Sequence, residues 1–135
     1  MSDTLVIIPT YNEKENIEAI IETVFKQKKR FHVLVVDDNS PDGTANIVED
    51  LMTRYPKSLF IEKRKGKNGL GTAYIHGFKW AIDKKYDYII EMDADFSHNP
   101  KDLRSLLDNL LFLENYKYFY YHLIEDLDLH FISKR

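Results

Sequence analysis

Residues 88–98 read Tyr-Ile-Ile-Glu-Met-Asp-Ala-Asp-Phe-Ser-His, an apolar run that ends in two aspartates separated by a single residue. The run is typical of a strand, and side chains at positions i and i+2 of an extended segment point the same way. Asp93 and Asp95 are therefore expected to face one point at the carboxyl end of a strand. Divalent cations such as Mg²⁺ prefer oxygen ligands, commonly one or two carboxylates completed by water and phosphate. The stretch predicts either a metal-diphosphate site or a solvated loop.

Two earlier segments, residues 5–8 and 31–36, share this apolar character and are predicted as strands buried on both faces, and residues 58–62 are predicted as a short third strand. Apolar residues at helical spacing lie between successive strands, and another helix is expected over residues 101–111. Pro9 is predicted to end the first strand, and Asn12 to cap the helix that follows. Alternating strands and helices predict an α/β fold with a mainly parallel sheet.

Parallel sheets bind ligands outside the carboxyl ends of their strands. This rule brings together three polar loops of the chain, residues 9–13, 37–42 and 93–97. Three polar strand ends at one edge support a binding site more strongly than the aspartate pair does alone.

The composition fits one soluble domain of 135 residues, with 44% apolar and 30% charged side chains. A net charge of −3 gives no support to nucleic-acid binding, and the absence of cysteine excludes disulfides and thiolate metal sites. The first residues resemble no signal peptide, and no apolar run reaches the ~20 residues of a membrane span. We expect a cytoplasmic protein, which would have to visit the membrane surface or borrow an anchor to work on a membrane substrate.

Two loops leave alternatives open. The pair Asp37-Asp38 is either a set of turn residues that caps the next helix, or it includes a carboxylate that reads a nucleotide base or ribose. The basic residues of 63–67 either form a solvated loop or attract a phosphate or an anionic membrane surface. The five histidines lack paired metal spacing and are expected at surface or packing positions, although His98 adjoins the acidic pair.

Other classes of α/β protein fit poorly. Residues 69–71, Gly-Leu-Gly, lack the third glycine of a dinucleotide-binding turn and follow the third predicted strand instead of the first. The chain contains no G-x-x-x-x-G-K-[ST] loop. A response-regulator receiver carries its acidic pair and phosphoacceptor after its first and third strands, whereas the acidic residues here follow the second and fourth.

Four segments together resemble glycosyltransferase family 2, and within it the dolichol-phosphate mannosyltransferase branch. They are residues 9–13 (Pro-Thr-Tyr-Asn-Glu), 36–44 (Val-Asp-Asp-Asn-Ser-Pro-Asp-Gly-Thr), 69–77 (Gly-Leu-Gly-Thr-Ala-Tyr-Ile-His-Gly) and 92–98 (Met-Asp-Ala-Asp-Phe-Ser-His). The first and last are shared across the wider family, while the second and third favour this branch.

The resemblance implies a GT-A (Rossmann-like) nucleotide-sugar-binding domain, a nucleotide-sugar donor and a divalent cation, Mg²⁺ or Mn²⁺. By position it implies nucleotide-sugar contacts from Pro9, Tyr11, Glu13, Val36, Asp38, Asp93, Ala94 and Asp95. It further implies catalytic roles for Asp93 and Asp95, and a metal site formed by Asp93, Asp95 and Ser97.

The implied reaction moves mannose from GDP-mannose to a dolichyl or polyprenyl phosphate at a membrane surface, with inversion. An acceptor phosphate monoester is already anionic near neutral pH, because its second pKa is about 6, so no strong general base is required. Stabilisation of the departing diphosphate is required, and a carboxylate-held cation supplies it.

The resemblance ends near residue 112, and the family's later arginine-bearing segment and G-[ST]-R-Y motif have no counterpart in this sequence. We therefore expect a core over residues 1–113 and an atypical tail over 114–135, with the C-terminal part of the family domain missing. Two alternatives follow: a donor-binding domain without turnover, alone or completed by a partner chain or a homo-oligomer, and a UDP-glucose-using transferase of the same family.

Overall fold

A computed structural model describes residues 2–105, 107–108, 121–122 and 130–133. Within the continuous stretch 2–105, strands and helices alternate as predicted up to the fourth strand. They are β1 (Thr4–Thr10), α1 (Ile17–Phe25), β2 (His32–Asp37), α2 (Thr44–Met52), β3 (Leu59–Lys63), α3 (Leu70–Asp83) and β4 (Tyr88–Glu91).

The chain after β4 is described in part. A short 3-10 helix spans Pro100–Asp102, with Pro100 at its first turn and the Asn99 side chain accepting a hydrogen bond from the backbone N–H of Lys101. Helical backbone continues over 103–105, whereas the predicted end near 111 lies outside the described residues. Two more strands are present, β5 (Tyr121–His122) and β6 (His130–Ser133). Most of the predicted tail, 114–135, lies outside the described residues.

The sheet has the strand order β3-β2-β1-β4-β6-β5. Strands β1 to β4 pair in parallel, and Val6 of β1 lies level with Val33 of β2 and Ile90 of β4. Strand β6 runs antiparallel to β4, and β5 antiparallel to β6. The predicted mainly parallel sheet is confirmed, and β1, β2 and β4 end at the same edge.

Apolar residues cover both faces of the sheet, as continuous apolar strands require. Val6 and Ile8 of β1 belong to the core that includes the buried faces of α1 and α2. Leu5 and Ile7 belong to a second core, which α3 covers through Ala73 and Ala81. These strand residues are fully buried. Among the described residues, no helix is both long and apolar enough to cross a membrane.

The prediction that Pro9 ends the first strand is wrong. Strand β1 continues to Thr10, whose carbonyl accepts a hydrogen bond of 3.0 Å from the N–H of Asp38. The backbone N–H and C=O groups of successive strand residues point to opposite neighbouring strands. Those of residue 9 point to the β4 side, where strand pairing has already ended at Ile7 and Glu91. The missing N–H of proline is tolerated there as it is at a sheet edge.

Asn12 does not cap the first helix, contrary to the prediction. Helix α1 begins at Ile17, after Asn16, and Asn12 has left-handed backbone with φ of 58°. The N–H of Asn12 donates to the Ser40 hydroxyl at 2.9 Å. The conformation of this loop therefore depends on a contact between residues 28 positions apart. A local capping pattern does not reveal such a contact.

Helix α3 crosses β1 closely at Gly77. A β-carbon added there would lie 2.7 Å from Ile7 Cγ2 and 2.9 Å from Ile7 Cδ1. We expect Gly77→Ala to lower the free energy of unfolding by about 1–3 kcal/mol, the usual cost of overpacking, measured by urea denaturation. Gly71→Ala is the matched control in the same helix, since no described atom would lie within 4 Å of its new β-carbon. Equal effects of the two variants would contradict the close approach.

Candidate functional site

The loops after β1 and β2 are joined by hydrogen bonds. Besides the contact between Asn12 and Ser40, the N–H of Glu13 donates to Thr44 Oγ1 at 3.0 Å, and the N–H of Lys14 donates to Asp42 Oδ2 at 3.2 Å. Asp42 also accepts from the backbone and hydroxyl of Thr44, as turn chemistry predicts. These bonds fix the first two polar loops relative to one another.

Asp37 has a structural role at the end of β2. It is buried, and its Oδ1 accepts hydrogen bonds from Thr10 Oγ1 at 2.7 Å and Ser40 Oγ at 2.6 Å. Its Oδ2 accepts from the N–H of Ser40 at 2.9 Å. A buried carboxylate that accepts several hydrogen bonds is satisfied within the fold. For Asp37, the turn interpretation of the acidic pair is the one the structure supports.

Asp38 has a different environment, because it pairs with Arg64 in the loop between β3 and α3. Arg64 Nε donates to Oδ1 at 2.5 Å and Nη2 donates to Oδ2 at 2.7 Å, a bidentate geometry typical of strong pairs. The two side chains are only 11% and 7% exposed. Hydrogen bonding to Asp38 raises the pKa of Arg64. Arg64 also donates to Thr72 Oγ1 at 3.0 Å, which ties the first turn of α3 to Asp38.

Two groups hold Asp93 after β4. The Tyr74 hydroxyl, from α3, donates to Asp93 Oδ1 at 2.7 Å. The N–H of Asp93 donates to His98 Nδ1 at 3.1 Å, so the neutral His98 ring carries its proton on Nε2. His98 is buried, and its Nε2 has no hydrogen-bond partner among the described residues. Sequence reasoning expected His98 at a packing position, and it is buried as well as bonded to the acidic loop.

Asp95 is exposed and is bonded within its own loop. Its Oδ1 accepts a hydrogen bond of 2.9 Å from the N–H of Ser97. Hydrogen bonds from Ser97 lower the pKa of Asp95, and the bond from the Ser97 side chain has a larger effect than the bond from its backbone. Phe96, between them, has left-handed backbone with φ of 61° and an exposed ring. The turn therefore presents an ionised Asp95 to solvent.

A cavity of about 220 Å³ lies at this edge of the sheet. Seven of the eight residues predicted to contact the nucleotide sugar line it: Pro9, Tyr11, Glu13, Asp38, Asp93, Ala94 and Asp95. The eighth, Val36, is fully buried in the core under α3. A larger hollow at the amino ends of the strands, near Phe31 and His32, contains none of the predicted residues.

The cavity is acidic, with one basic side chain at its rim. Burial raises the pKa of Glu13, and the charges of Asp95, Asp42 and Asp93 raise it further. Lys67 lines the same cavity and places its Nζ 4.6 Å from the centre of the Tyr11 ring. Of the other basic loop residues, Lys63 pairs with Glu49 at the surface and Arg64 with Asp38. The loop is therefore partly structural and partly a wall of the site.

Sequence reasoning did not name six of the residues found at the site as members of it. Arg64, Tyr74 and His98 each bond a predicted site residue, and Lys67, Gly69 and Leu70 line the cavity. For Gly69, Leu70 and Tyr74 the available signal was the glycine-rich segment 69–77, because it carried the resemblance without an assigned role.

The donor set around Asp93 and Asp95 fits a divalent cation that brings its own further ligands. Among the described residues, no cluster of three or more acidic or histidine side chains could enclose a metal ion. The described hydrogen bonds to the Asp93 carboxylate reach Oδ1 alone, and Asp95 is exposed. One or two carboxylates completed by water and phosphate oxygens is the usual arrangement for Mg²⁺.

A model of the family described as "Glycosyl transferase family 2" matches residues 5–121. The chain therefore belongs to glycosyl transferase family 2, a family of enzymes. Polyprenol monophosphomannose synthase of Mycolicibacterium smegmatis is 48% identical over 105 residues, 78% of this chain and 40% of that protein. Undecaprenyl-phosphate mannosyltransferase of Micrococcus luteus is 44% identical over 104 residues, 77% of this chain and 42% of that protein. The chain thus spans about two fifths of the length of these relatives.

Solved structures place the fold in the same class. The mannosyltransferase PcManGT of Pyrobaculum calidifontis, in complex with GDP-Man and Mn²⁺, aligns with a TM-score of 0.63 and 28% identity. The alignment covers 69% of this chain and 27% of that one. The prediction of a GT-A fold is confirmed.

Proposed function

We propose that the chain carries the donor site of a transferase that moves a mannosyl group from GDP-mannose to a polyprenyl or dolichyl phosphate, with inversion at the sugar carbon. The observation that carries the proposal is the cavity lined by seven of the eight predicted donor residues. One relative is named a polyprenol monophosphomannose synthase and the other an undecaprenyl-phosphate mannosyltransferase, and the PcManGT structure contains GDP-Man.

Each side of the cavity has a proposed role. Pro9, Tyr11, Glu13 and Asp38 contact the nucleoside, and the β2 backbone at Val36 borders it. Asp93, Ala94 and Asp95 would face the diphosphate, and Asp93, Asp95 and Ser97 would hold Mg²⁺ or Mn²⁺. A bound cation would supply positive charge to the departing diphosphate. Because the acceptor phosphate is already anionic near neutral pH, the chain's own residues have to position and stabilise charge, and no strong base is needed.

The test is calorimetry of GDP-mannose binding with and without Mn²⁺, beside a radiolabelled transfer assay with a polyprenyl phosphate in detergent. We expect cation-dependent binding that Asp95→Asn weakens by on the order of tenfold to a hundredfold, a range typical of disturbed metal sites. Asp87→Asn is the matched control, because this exposed aspartate precedes the opposite end of β4. No cation-dependent binding, or equal effects of both variants, would refute the proposal.

The same experiment, repeated with UDP-glucose as the donor, separates the alternatives. Binding followed by transfer supports the full activity, and a polyprenyl acceptor would require the protein to work at a membrane surface. Binding without transfer supports a donor-binding domain without turnover, completed by another chain or a second copy. A preference for UDP-glucose over GDP-mannose would replace the proposed donor and keep the family reaction.

A further inference from the structure

We propose that Tyr74 is a positioning residue for the Asp93 carboxylate: its hydroxyl holds Oδ1 and leaves Oδ2 for the cation. The inference rests on the proposed function, since it assigns a task to Asp93 at the metal-diphosphate position. The observation behind it is the 2.7 Å hydrogen bond from the Tyr74 hydroxyl to Asp93 Oδ1.

The hydroxyl is delivered by a rigid part of the fold. Tyr74 lies in α3 next to Ala73, which is buried against the sheet, and one turn before Gly77, where the helix meets Ile7 closely. Its ring also stacks near Phe78, with ring centroids 6.5 Å apart. A donor fixed by core packing sets the direction of its acceptor better than a donor on a mobile loop does.

The chemistry of the pair suits orientation. A phenol with an ordinary pKa of about 10 is protonated near neutral pH, so the Tyr74 hydroxyl donates to the Asp93 carboxylate. Asp93 is thus held twice, at its carboxylate by Tyr74 and at its N–H by His98. Asp95 is exposed, and its described bonds are to Ser97 in the same loop. The site combines one oriented carboxylate with one that can adjust, which suits a cation that arrives with a diphosphate.

The test measures the Mn²⁺ concentration that gives half-maximal GDP binding, by calorimetry, in the wild type and in Tyr74→Phe. We expect this concentration to rise about tenfold in the variant, as is typical when a group that orients a metal ligand is removed. GDP binding without a cation should stay near wild type, because the substitution keeps the packed ring. Loss of the hydrogen bond to Asp93 lowers the urea denaturation midpoint, but a lower midpoint by itself does not change the cation dependence. A purely structural role would not change the cation dependence alone.

The matched control is Tyr86→Phe. Tyr86 is a buried tyrosine whose hydroxyl contacts His32 Nδ1 at 2.6 Å, at the amino end of β2. An unchanged cation dependence in Tyr74→Phe, or an equal change in Tyr86→Phe, would overturn the inference while the wild-type response upholds the proposed function. A wild type without cation-dependent GDP binding would overturn both, so the two failures are distinguishable.

Discussion

Replacement of Arg64 by methionine should lower the free energy of unfolding by about 3–5 kcal/mol, as expected when one partner of a buried ion pair is removed. Arg64 donates to both oxygens of Asp38, and both side chains are almost completely buried. Methionine keeps much of the apolar volume but leaves the Asp38 carboxylate with neither countercharge nor donors. Urea denaturation near neutral pH measures the effect.

Two controls separate the ion pair from general disturbance of the loop. Lys63→Met changes the neighbouring residue, whose pair with Glu49 is 56% and 41% exposed, so we expect a loss of at most about 1 kcal/mol. The double variant Arg64→Met, Asp38→Asn should recover part of the lost stability, because asparagine carries no charge. Similar losses in Arg64→Met and Lys63→Met, or no recovery in the double variant, would show that the pair does not fix this loop.

The Arg64 pair also shows where sequence reasoning reached its limit. The predicted bounds of β1 to β4 agree with the structure within one or two residues. Continuous apolar runs predicted β1 and β2 in particular, because a strand covered on both faces has to be apolar throughout. The rule that parallel sheets bind ligands at the carboxyl ends of their strands then predicted that the polar loops lie together. The cavity is lined by most of the residues to which the resemblance assigned a nucleotide-sugar contact. Local patterns and topology were enough for these steps.

What remained undecided depended on contacts between residues distant in sequence. Asp37 and Asp38 are adjacent and identical, yet one bonds Thr10 and Ser40 while the other pairs with Arg64, 26 positions away. Tyr74 reaches Asp93 across 19 positions. No local pattern separates such roles, because the partner is chosen by the packing of α3 and the loops on the sheet. The Asn12 cap prediction failed for the same reason.

Glu91 should make the stability of the protein depend on pH. It is buried at the end of β4, and burial together with the charge of Asp93 raises its pKa from 4.5 to about 7. A raised pKa in the folded state means that folding favours the protonated acid. Its contribution to stability is therefore fully present below pH 4.5, the unfolded value, and is lost as the pH rises through about 7.

Glu91→Gln removes this titration while keeping the shape of the protonated acid. We compare the free energy of unfolding of the variant with that of the wild type. The variant minus the wild type should rise by about 3 kcal/mol between pH 4.5 and about 7, the unfolded and folded pKa values of Glu91, since one pKa unit corresponds to about 1.4 kcal/mol. Urea denaturation from pH 4.5 to 8 in the presence of a chelator measures the difference without a cation at Asp93. Glu15→Gln, at an exposed loop position, should give a difference that is flat with pH. A flat difference for Glu91→Gln would show that this carboxyl is ionised at neutral pH beside Asp93, and that the edge of the sheet tolerates both charges unaided.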